Sequence, residues 1–246
     1  MDAISRHARL ATLIRDKLAA DLAQLAPLPA ANAISRQALA RLQALVDAAP
    51  AFLLLLAEPW LDDEPEDLLP TLLDCARIHL YARILDDALD ESLPPHHIHL
   101  LRYQPIFWQT VASLAVRYPH LQVQCTHLIE ETVLAVEADD ASQGPQHWGR
   151  KNHHLLLLPL LLSAGDGRYH HHRETLSALI SLSQACDEWW QGELCPVVTD
   201  AVLAMFPQWM DPQRLLSLHQ AGWCLAQAHI LREGQYLLDN LAHRHT

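Results

Sequence analysis

The sequence predicts an all-α protein. Hydrophobic residues make up 50% of its 246 residues, glycine occurs only 7 times, and leucine and alanine outnumber valine and isoleucine. Strand-like alternation of apolar and polar residues is missing, whereas apolar residues recur three and four positions apart along most of the chain. The length suits one large domain with a substantial core, and we therefore expect residues 1–246 to fold as a single all-α domain.

Helical segments follow one another along the chain, with proline-containing breaks between them. Residues 5–26 carry apolar residues at helical spacing, and the prolines that follow end that helix. The acidic stretch Asp62–Asp67 precedes the next long helix, where negative charge complements the helix dipole and Pro65 can occupy the first turn. Further helices are predicted over residues 34–48, from Ala51, from Leu68 to Glu91, over 105–117, over 119–141 and over 212–241.

The charge and the cysteine pattern exclude several classes of protein. The formal net charge of −12 argues against nucleic-acid binding and against adsorption to anionic lipid. Five scattered cysteines, none paired as Cys-x-x-Cys, argue against structural zinc or a disulfide framework and favour a reducing compartment. The N-terminus lacks the apolar core of a signal peptide, and the runs Phe52–Ala57 and Leu155–Leu162 are too short to cross a bilayer. We expect a cytoplasmic protein with no membrane span.

A cluster of four carboxylates ends the helix predicted to run from Leu68. Asp86 and Asp90 lie about 40° apart around a helix axis. The same holds for Asp87 and Glu91, so all four crowd onto one side. These acids repel one another and oppose the dipole at a helix C-terminus, but divalent cations such as Mg²⁺ would make the arrangement favourable. The alternative is a solvated helix end, because acidic clusters are common on surfaces.

Two adjacent cations, Arg150 and Lys151, precede the nearly all-apolar segment Leu155–Leu162. This segment has no polar side, so its helix must be buried, and Pro159 should kink it. A buried, kinked helix with a basic entrance suits a site that takes in an anionic head and an apolar tail. The alternative is an ordinary core helix with two surface cations.

A second polar stripe is predicted on a later helix. Its members stand at positions i, i+3, i+4 and i+7, and they are Gln184, Asp187, Glu188 and Gln191. Each can contact a ligand through oxygen, as Mg²⁺ requires. The exposed face of an amphipathic helix shows the same pattern. Two acidic stripes on separate helices, with two cations between them in sequence, are a less common combination than one such stripe alone.

These pieces, in this order, resemble the class I isoprenoid synthases, the family of prenyl diphosphate synthases and terpene cyclases. The segment Asp86–Asp90 has the family's Asp-Asp-x-x-Asp form. The segment Gln184–Gln191 is similar to the family's second acidic motif, and Lys151 looks like its diphosphate-binding lysine. The likeness in organisation runs from about residue 50 to the end of the chain.

The resemblance implies one bundle of long helices around a central apolar cavity, with the two acidic motifs facing each other at its mouth. It also implies a cluster of three Mg²⁺ ions that grips the diphosphate of an allylic prenyl substrate. The implied metal ligands are Asp86, Asp87, Asp90, Asp187, Glu188 and Gln191, with Asp86, Asp87 and Asp187 as the catalytic carboxylates. The implied substrate-binding residues are Arg150, Lys151, Gln184, Arg232 and Tyr236.

Departures from the family pattern distinguish its subclasses. Chain-elongating members carry an arginine pair after the first motif, whereas here the first arginine after it is Arg102. This favours a one-substrate terpene synthase, which releases a hydrocarbon or an alcohol, over a prenyltransferase. Gln191 and Cys195 stand where terpene cyclases carry further metal ligands, so a non-catalytic lipid- or partner-binding relative stays an alternative. Family members are often dimers, which makes a homodimer an expectation.

Overall fold

A computed structural model describes residues 3–24, 33–61, 65–90, 94–137, 158–192 and 196–242. Every regular element in these ranges is helical, which confirms the all-α prediction. The α-helices are α1 Ala3–Gln24, α2 Ala33–Leu56, α3 Pro65–Asp90, α4 Pro94–Arg117, α5 Gln122–Glu137, α6 Leu158–Gln191, α7 Pro196–Trp209, α8 Pro212–Gln220 and α9 Cys224–Ala242. Two short 3-10 helices, Glu58–Trp60 and Pro119–Leu121, complete the described elements.

The helix boundaries differ from the predicted ones at prolines. Pro65 occupies the first turn of α3, where its missing N–H removes no helical hydrogen bond, as the sequence predicts. Pro50 lies inside α2, which joins two segments that the sequence predicts as separate helices. An internal proline costs about 3 kcal/mol, but Leu53 and Leu54 beyond it are fully buried, and each such leucine contributes about 2 kcal/mol. The free energy gained by burying these two leucines therefore exceeds the cost of the internal proline.

The chain divides into two compact units, Met1–Gln122 and Val123–Thr246. The first unit holds α1 to α4, and the second begins with α5. The expectation of a single domain over residues 1–246 stays a prediction.

In the first unit, α3 and α4 pack as an antiparallel pair. Near the end of α3 the Tyr81 ring stacks on Phe107, with ring centroids 4.1 Å apart. Near its start, the hydroxyls of Thr71 and Tyr118 are 2.6 Å apart. Helix α1 adds an apolar stripe at four-residue spacing, in which Leu10, Ile14 and Leu18 are buried.

A buried ion-pair network ties these helices together. Asp74 of α3 is 5% exposed and accepts hydrogen bonds from Arg77 and Arg117. Arg77 also donates to both carboxylate oxygens of Asp21 on α1, at 2.7 and 3.0 Å. The hydrogen bond from Arg77 to Asp21 raises the pKa of the guanidinium. Each buried carboxylate in the network is matched by a cation, which compensates for its loss of water.

One stretch of the described residues, Leu39–Leu56 of α2, is long and apolar enough to cross a membrane. Its mean hydropathy is 1.6, and 44% of it is buried inside the protein. A buried core helix meets the same criterion, and Val46, Leu53 and Leu54 of this stretch belong to the core of the first unit. The absence of a membrane span stays a prediction.

The second unit is organised around α6, which has 34 residues. Leu158 and Leu161 at its start are buried, in agreement with the predicted burial of the apolar run. Pro159 is the second residue of the described helix, and residues 151–157 before it lie outside the described ranges, so the predicted kink is not tested. Helices α7, α8 and α9 all pack against α6.

Candidate active site

Both acidic motifs lie in the last turns of long helices. Asp86, Asp87 and Asp90 end α3, which has 26 residues, and the stripe Gln184–Gln191 ends α6, which has 34. These are the two longest helices in the described ranges. The C-terminal end of a helix carries partial negative charge, so carboxylates placed there raise the local negative potential. Each motif therefore needs solvent, a hydrogen-bond donor or a cation.

Arg41 of α2 supplies such a cation to the first motif. Asp87 is 7% exposed, and its Oδ2 and Oδ1 accept hydrogen bonds from Arg41 Nε at 2.9 Å and Nη2 at 3.1 Å. This two-point contact is the strong form of an arginine–carboxylate pair. The Arg41 side chain itself is 44% exposed, so solvent screens one half of the pair while the other half is buried.

Asp86, the neighbouring acid, contacts a different arginine. Its Oδ2 lies 2.8 Å from Nη1 of Arg83, one turn earlier on the same helix, and its side chain is 24% exposed. The two aspartates thus accept from arginines on separate helices. The side chain of Asp90 and the whole of Glu91 lie outside what the structure describes.

Within the described residues, no group of three or more His, Cys, Asp or Glu side chains is arranged to hold a metal ion. The chemistry of the first motif suits Mg²⁺, because carboxylate oxygens are its preferred protein ligands. The geometry directs three of the four oxygens of Asp86 and Asp87 to arginine instead. The magnesium site stays a prediction.

The second motif has the single polar face that its spacing predicts. Gln184 Nε2 donates a hydrogen bond to Glu188 Oε1 at 2.8 Å, one turn further along α6. Asp187 is exposed, and Glu188 is half-buried. The side chain of Gln191 lies outside the described part of the chain, as do Arg150 and Lys151.

Helix α9 packs against the end of α6 that bears this motif. The ring of Tyr236 stacks on Trp190 with a centroid distance of 5.2 Å and an interplanar angle of 12°. One turn before, the thiol of Cys186 lies 3.6 Å from the carbonyl oxygen of Glu233. Arg232 and Tyr236, which the sequence places one turn apart, therefore belong to the same helix pair as the second motif.

His229 is a member of this cluster that the sequence reasoning missed. Its Nδ1 lies 2.6 Å from Nη2 of Arg232, and its Nε2 lies 3.2 Å from the hydroxyl of Ser183. A guanidinium can only donate, so Nδ1 must accept and the ring proton is assigned to Nε2. Burial lowers the pKa of His229, which favours this neutral form. The signal available in the sequence was the spacing of His229 and Arg232, three residues apart on a helix.

This tautomer has a chemical consequence for Ser183. A serine nucleophile needs a histidine nitrogen that can take its proton. Here the Nε2 of His229 already carries a proton and donates it to the hydroxyl oxygen. The trio of Ser183, His229 and Glu233 is therefore not arranged as a hydrolase triad. Arg232, which contacts His229, also lies 3.5 Å from the Glu233 carboxylate.

Comparisons with family models, with curated proteins and with solved structures find no match to this chain.

Proposed function

We propose that this chain is a class I isoprenoid synthase, and specifically a terpene synthase. In this proposal it ionises an allylic prenyl diphosphate with the help of Mg²⁺ and releases a terpene hydrocarbon or alcohol together with diphosphate. A central apolar cavity that holds the prenyl tail is part of the same proposal.

The observation that carries the proposal is the position of the two acidic motifs. Each ends a long helix, at the pole where carboxylates are least favourable for the helix itself. Acids at such positions oppose the helix dipole, and a bound divalent cation would offset that cost. Two motifs of this kind, about a hundred residues apart, match the order of the family's two metal-binding motifs.

Magnesium requires that the first motif exchange its partners. Asp86 and Asp87 would leave Arg83 and Arg41 and contact the ions, while Asp187 and Glu188 would bind them from the second motif. Asp90 and Gln191 would complete the two sets. Bound Mg²⁺ stabilises the charge that develops on a departing diphosphate. The freed arginines carry positive charge that can contribute to the same task.

The basic residues have distinct roles in this proposal. Arg150 and Lys151 would neutralise the diphosphate from the entrance. Arg232 and Tyr236, on the helix that packs against the second motif, would contact it from the other side. His229 would hold the guanidinium of Arg232 in place through its 2.6 Å contact.

A second candidate is a non-catalytic helical protein that binds a lipid or a protein partner. The contact that favours it is the two-point pair between Arg41 and the buried Asp87. A carboxylate held in this way already has a structural role, so it needs no metal. Under this alternative, loss of Asp86 or Asp187 leaves function unchanged.

The test is incubation of the purified protein with C10, C15 and C20 prenyl diphosphates, with and without Mg²⁺. We expect release of diphosphate and of a terpene from at least one of them, only when Mg²⁺ is present. Asp86→Asn should abolish release, whereas Asp16→Asn, an exposed aspartate of α1, is the matched control. Turnover only after isopentenyl diphosphate is added would identify a prenyltransferase instead. No release with any combination would contradict both enzyme assignments.

A further inference from the structure

A polar pocket of about 540 Å³ lies in the second unit, between α6, α7 and the start of α8. Its α6 side extends from His170 to Ser181 and stops before the second acidic motif. Its volume lies within the usual range of small-molecule sites. The pocket is separate from the residues of the proposed function, and its lining is too polar for a prenyl tail. Six residues define its chemistry: Arg173, Glu174, Ser181, Met205, Trp209 and Arg214.

The charges that line the pocket are not neutralised by one another. Arg173 pairs outside it with Glu131 of α5, through a contact of 2.9 Å. Arg214 and Glu174 are both exposed, and among the described residues neither takes part in an ion pair. The lining also holds the imidazole of His170, and with Arg173 paired to Glu131 its remaining guanidinium and carboxylate are those of Arg214 and Glu174. A ligand of single charge would satisfy only one of them.

The backbone at Arg214 is fixed by a helix cap. Asp211 caps the N-terminus of α8, and its Oδ1 accepts a hydrogen bond from the Arg214 backbone N–H at 2.8 Å. Glu174 is held on the middle of the 34-residue helix α6. Helical elements therefore fix the backbone positions from which both side chains reach the pocket.

Two residues of α7 supply large apolar side chains to the otherwise polar lining of the pocket. Trp209 is 4% exposed, and Met205 lies one turn earlier on α7. Ser181 also lines the pocket, and it is 7% exposed. Apolar surface of this kind, beside two separated opposite charges, suits a compact molecule with an apolar body and two charged groups.

We infer that this pocket binds a small zwitterion, with its carboxylate at Arg214, its ammonium at Glu174 and its apolar body against Trp209 and Met205. Free α-amino acids with an apolar side chain have this chemistry. Binding of a zwitterion in this pocket requires neither Mg²⁺ nor prenyl diphosphate, so its test is independent of the test of the proposed function.

Three matched probes test the inference by isothermal titration calorimetry on the full chain. L-Phenylalanine carries both charges, 3-phenylpropionate lacks the ammonium, and phenethylamine lacks the carboxylate. We expect phenylalanine to bind more tightly than either singly charged probe, by up to about fivefold, the upper limit for one exposed ion pair. Equal or tighter binding of 3-phenylpropionate would show a site for simple anions and overturn the inference. No binding by any of the three would also overturn it.

Two variants locate the two charges. Arg214→Gln should remove the advantage of phenylalanine over phenethylamine, and Glu174→Gln should remove its advantage over 3-phenylpropionate. Both side chains are exposed, so neither change disturbs the core. Arg9→Gln and Glu130→Gln, at exposed positions outside the pocket, are the matched controls. If these controls weaken binding as much as the pocket variants, phenylalanine binds elsewhere and the inference is wrong.

Discussion

The first and second acidic motifs occupy the same kind of position but hold their carboxylates in different ways. In the first motif Asp87 is buried, and Arg41 contacts both of its oxygens. In the second motif Asp187 is exposed, and Glu188 accepts a hydrogen bond from Gln184 within the same helix. A buried carboxylate at a helix C-terminus needs a cation from the protein, whereas solvent can stabilise an exposed one. Asp187 is therefore more accessible to a dissolved ion than Asp87 is.

The largest expected effect is on the rate of diphosphate release, and it tests whether the second motif binds metal. Asp187→Asn should lower the rate of diphosphate release about 100-fold or more, because a metal ligand contributes several kcal/mol to stabilising the leaving group. The measurement is steady-state turnover at saturating Mg²⁺. Asp200→Asn, at an exposed position of α7 in the same unit, should retain the original rate. An active Asp187→Asn protein would contradict the proposed site.

The next effect tests whether the Arg41–Asp87 pair supports the fold. Arg41→Met leaves Asp87 buried without that partner and should lower the free energy of unfolding by about 2 kcal/mol, less than a fully buried pair would lose. Urea unfolding measures this change. Arg15→Met is the control, because its partner Asp47 is 3.5 Å away and 54% exposed, and its loss should cost less than about 1 kcal/mol. If both changes have the same effect, the burial of Asp87 has no energetic role.

A further prediction connects the same pair to metal binding. If Mg²⁺ must displace Arg41 from Asp87, Arg41→Gln should lower the Mg²⁺ concentration for half-maximal turnover, by about fivefold if one screened ion pair is removed. A titration of activity against Mg²⁺ checks this. An unchanged requirement would show that Asp87 keeps Arg41 in the working protein and is not a metal ligand.

Two histidines should make the free energy of unfolding depend on pH, His79 on the helix of the first motif and His229 beside the second motif. Burial and the nearby charge of Arg83 lower the pKa of His79 on α3 from 6.5 to about 4. The unfolded chain therefore binds this proton first, so stability is complete above pH 6.5 and falls as the pH drops toward 4, by at most about 1.4 kcal/mol per pH unit. Burial also lowers the pKa of His229, which acts in the same direction.

Urea unfolding at several pH values between 7 and 4 measures this dependence. His79→Gln should flatten the curve, and His229→Gln should flatten it less. His127→Gln, at an exposed position of α5, is the control for loss of a surface histidine. A His79→Gln curve that matches the original one would show that His79 does not titrate in this range.

The smallest effect concerns the stacked rings beside the second motif. Trp190 is 72% exposed, so its main contact of interest is the Tyr236 ring. Trp190→Ala should lower the free energy of unfolding by about 0.5–1 kcal/mol, and Trp190→Phe should retain most of it. Thermal unfolding of the two variants measures the difference. Equal loss in both would mean that the stack contributes no stability.

Local patterns predicted much of the secondary structure. The run of apolar residues that ends in Asp86–Asp90 is one long helix, and Gln184 and Glu188 share a face, as their spacing requires. The merger of two predicted segments into α2 was missed, because a proline argues for a break and only the burial of Leu53 and Leu54 reverses that. The role of Arg41 was also missed, since 46 residues separate it from Asp87.

The sequence by itself determined that the chain is helical and that its acids collect at two helix ends, because helix periodicity and helix polarity act over a few residues. Only the tertiary structure decided that Asp87 contacts Arg41 and that Asp21 contacts Arg77, since packing of separate helices brings these pairs together. The contact of Asp86 with Arg83 is local, because the two residues lie one turn apart on α3. The same holds for the pocket between α6 and α8, where residues 40 positions apart, Glu174 and Arg214, contribute opposite charges to one lining. The sequence specifies which residues are charged, but which of them form ion pairs depends on the distances between them in the folded protein.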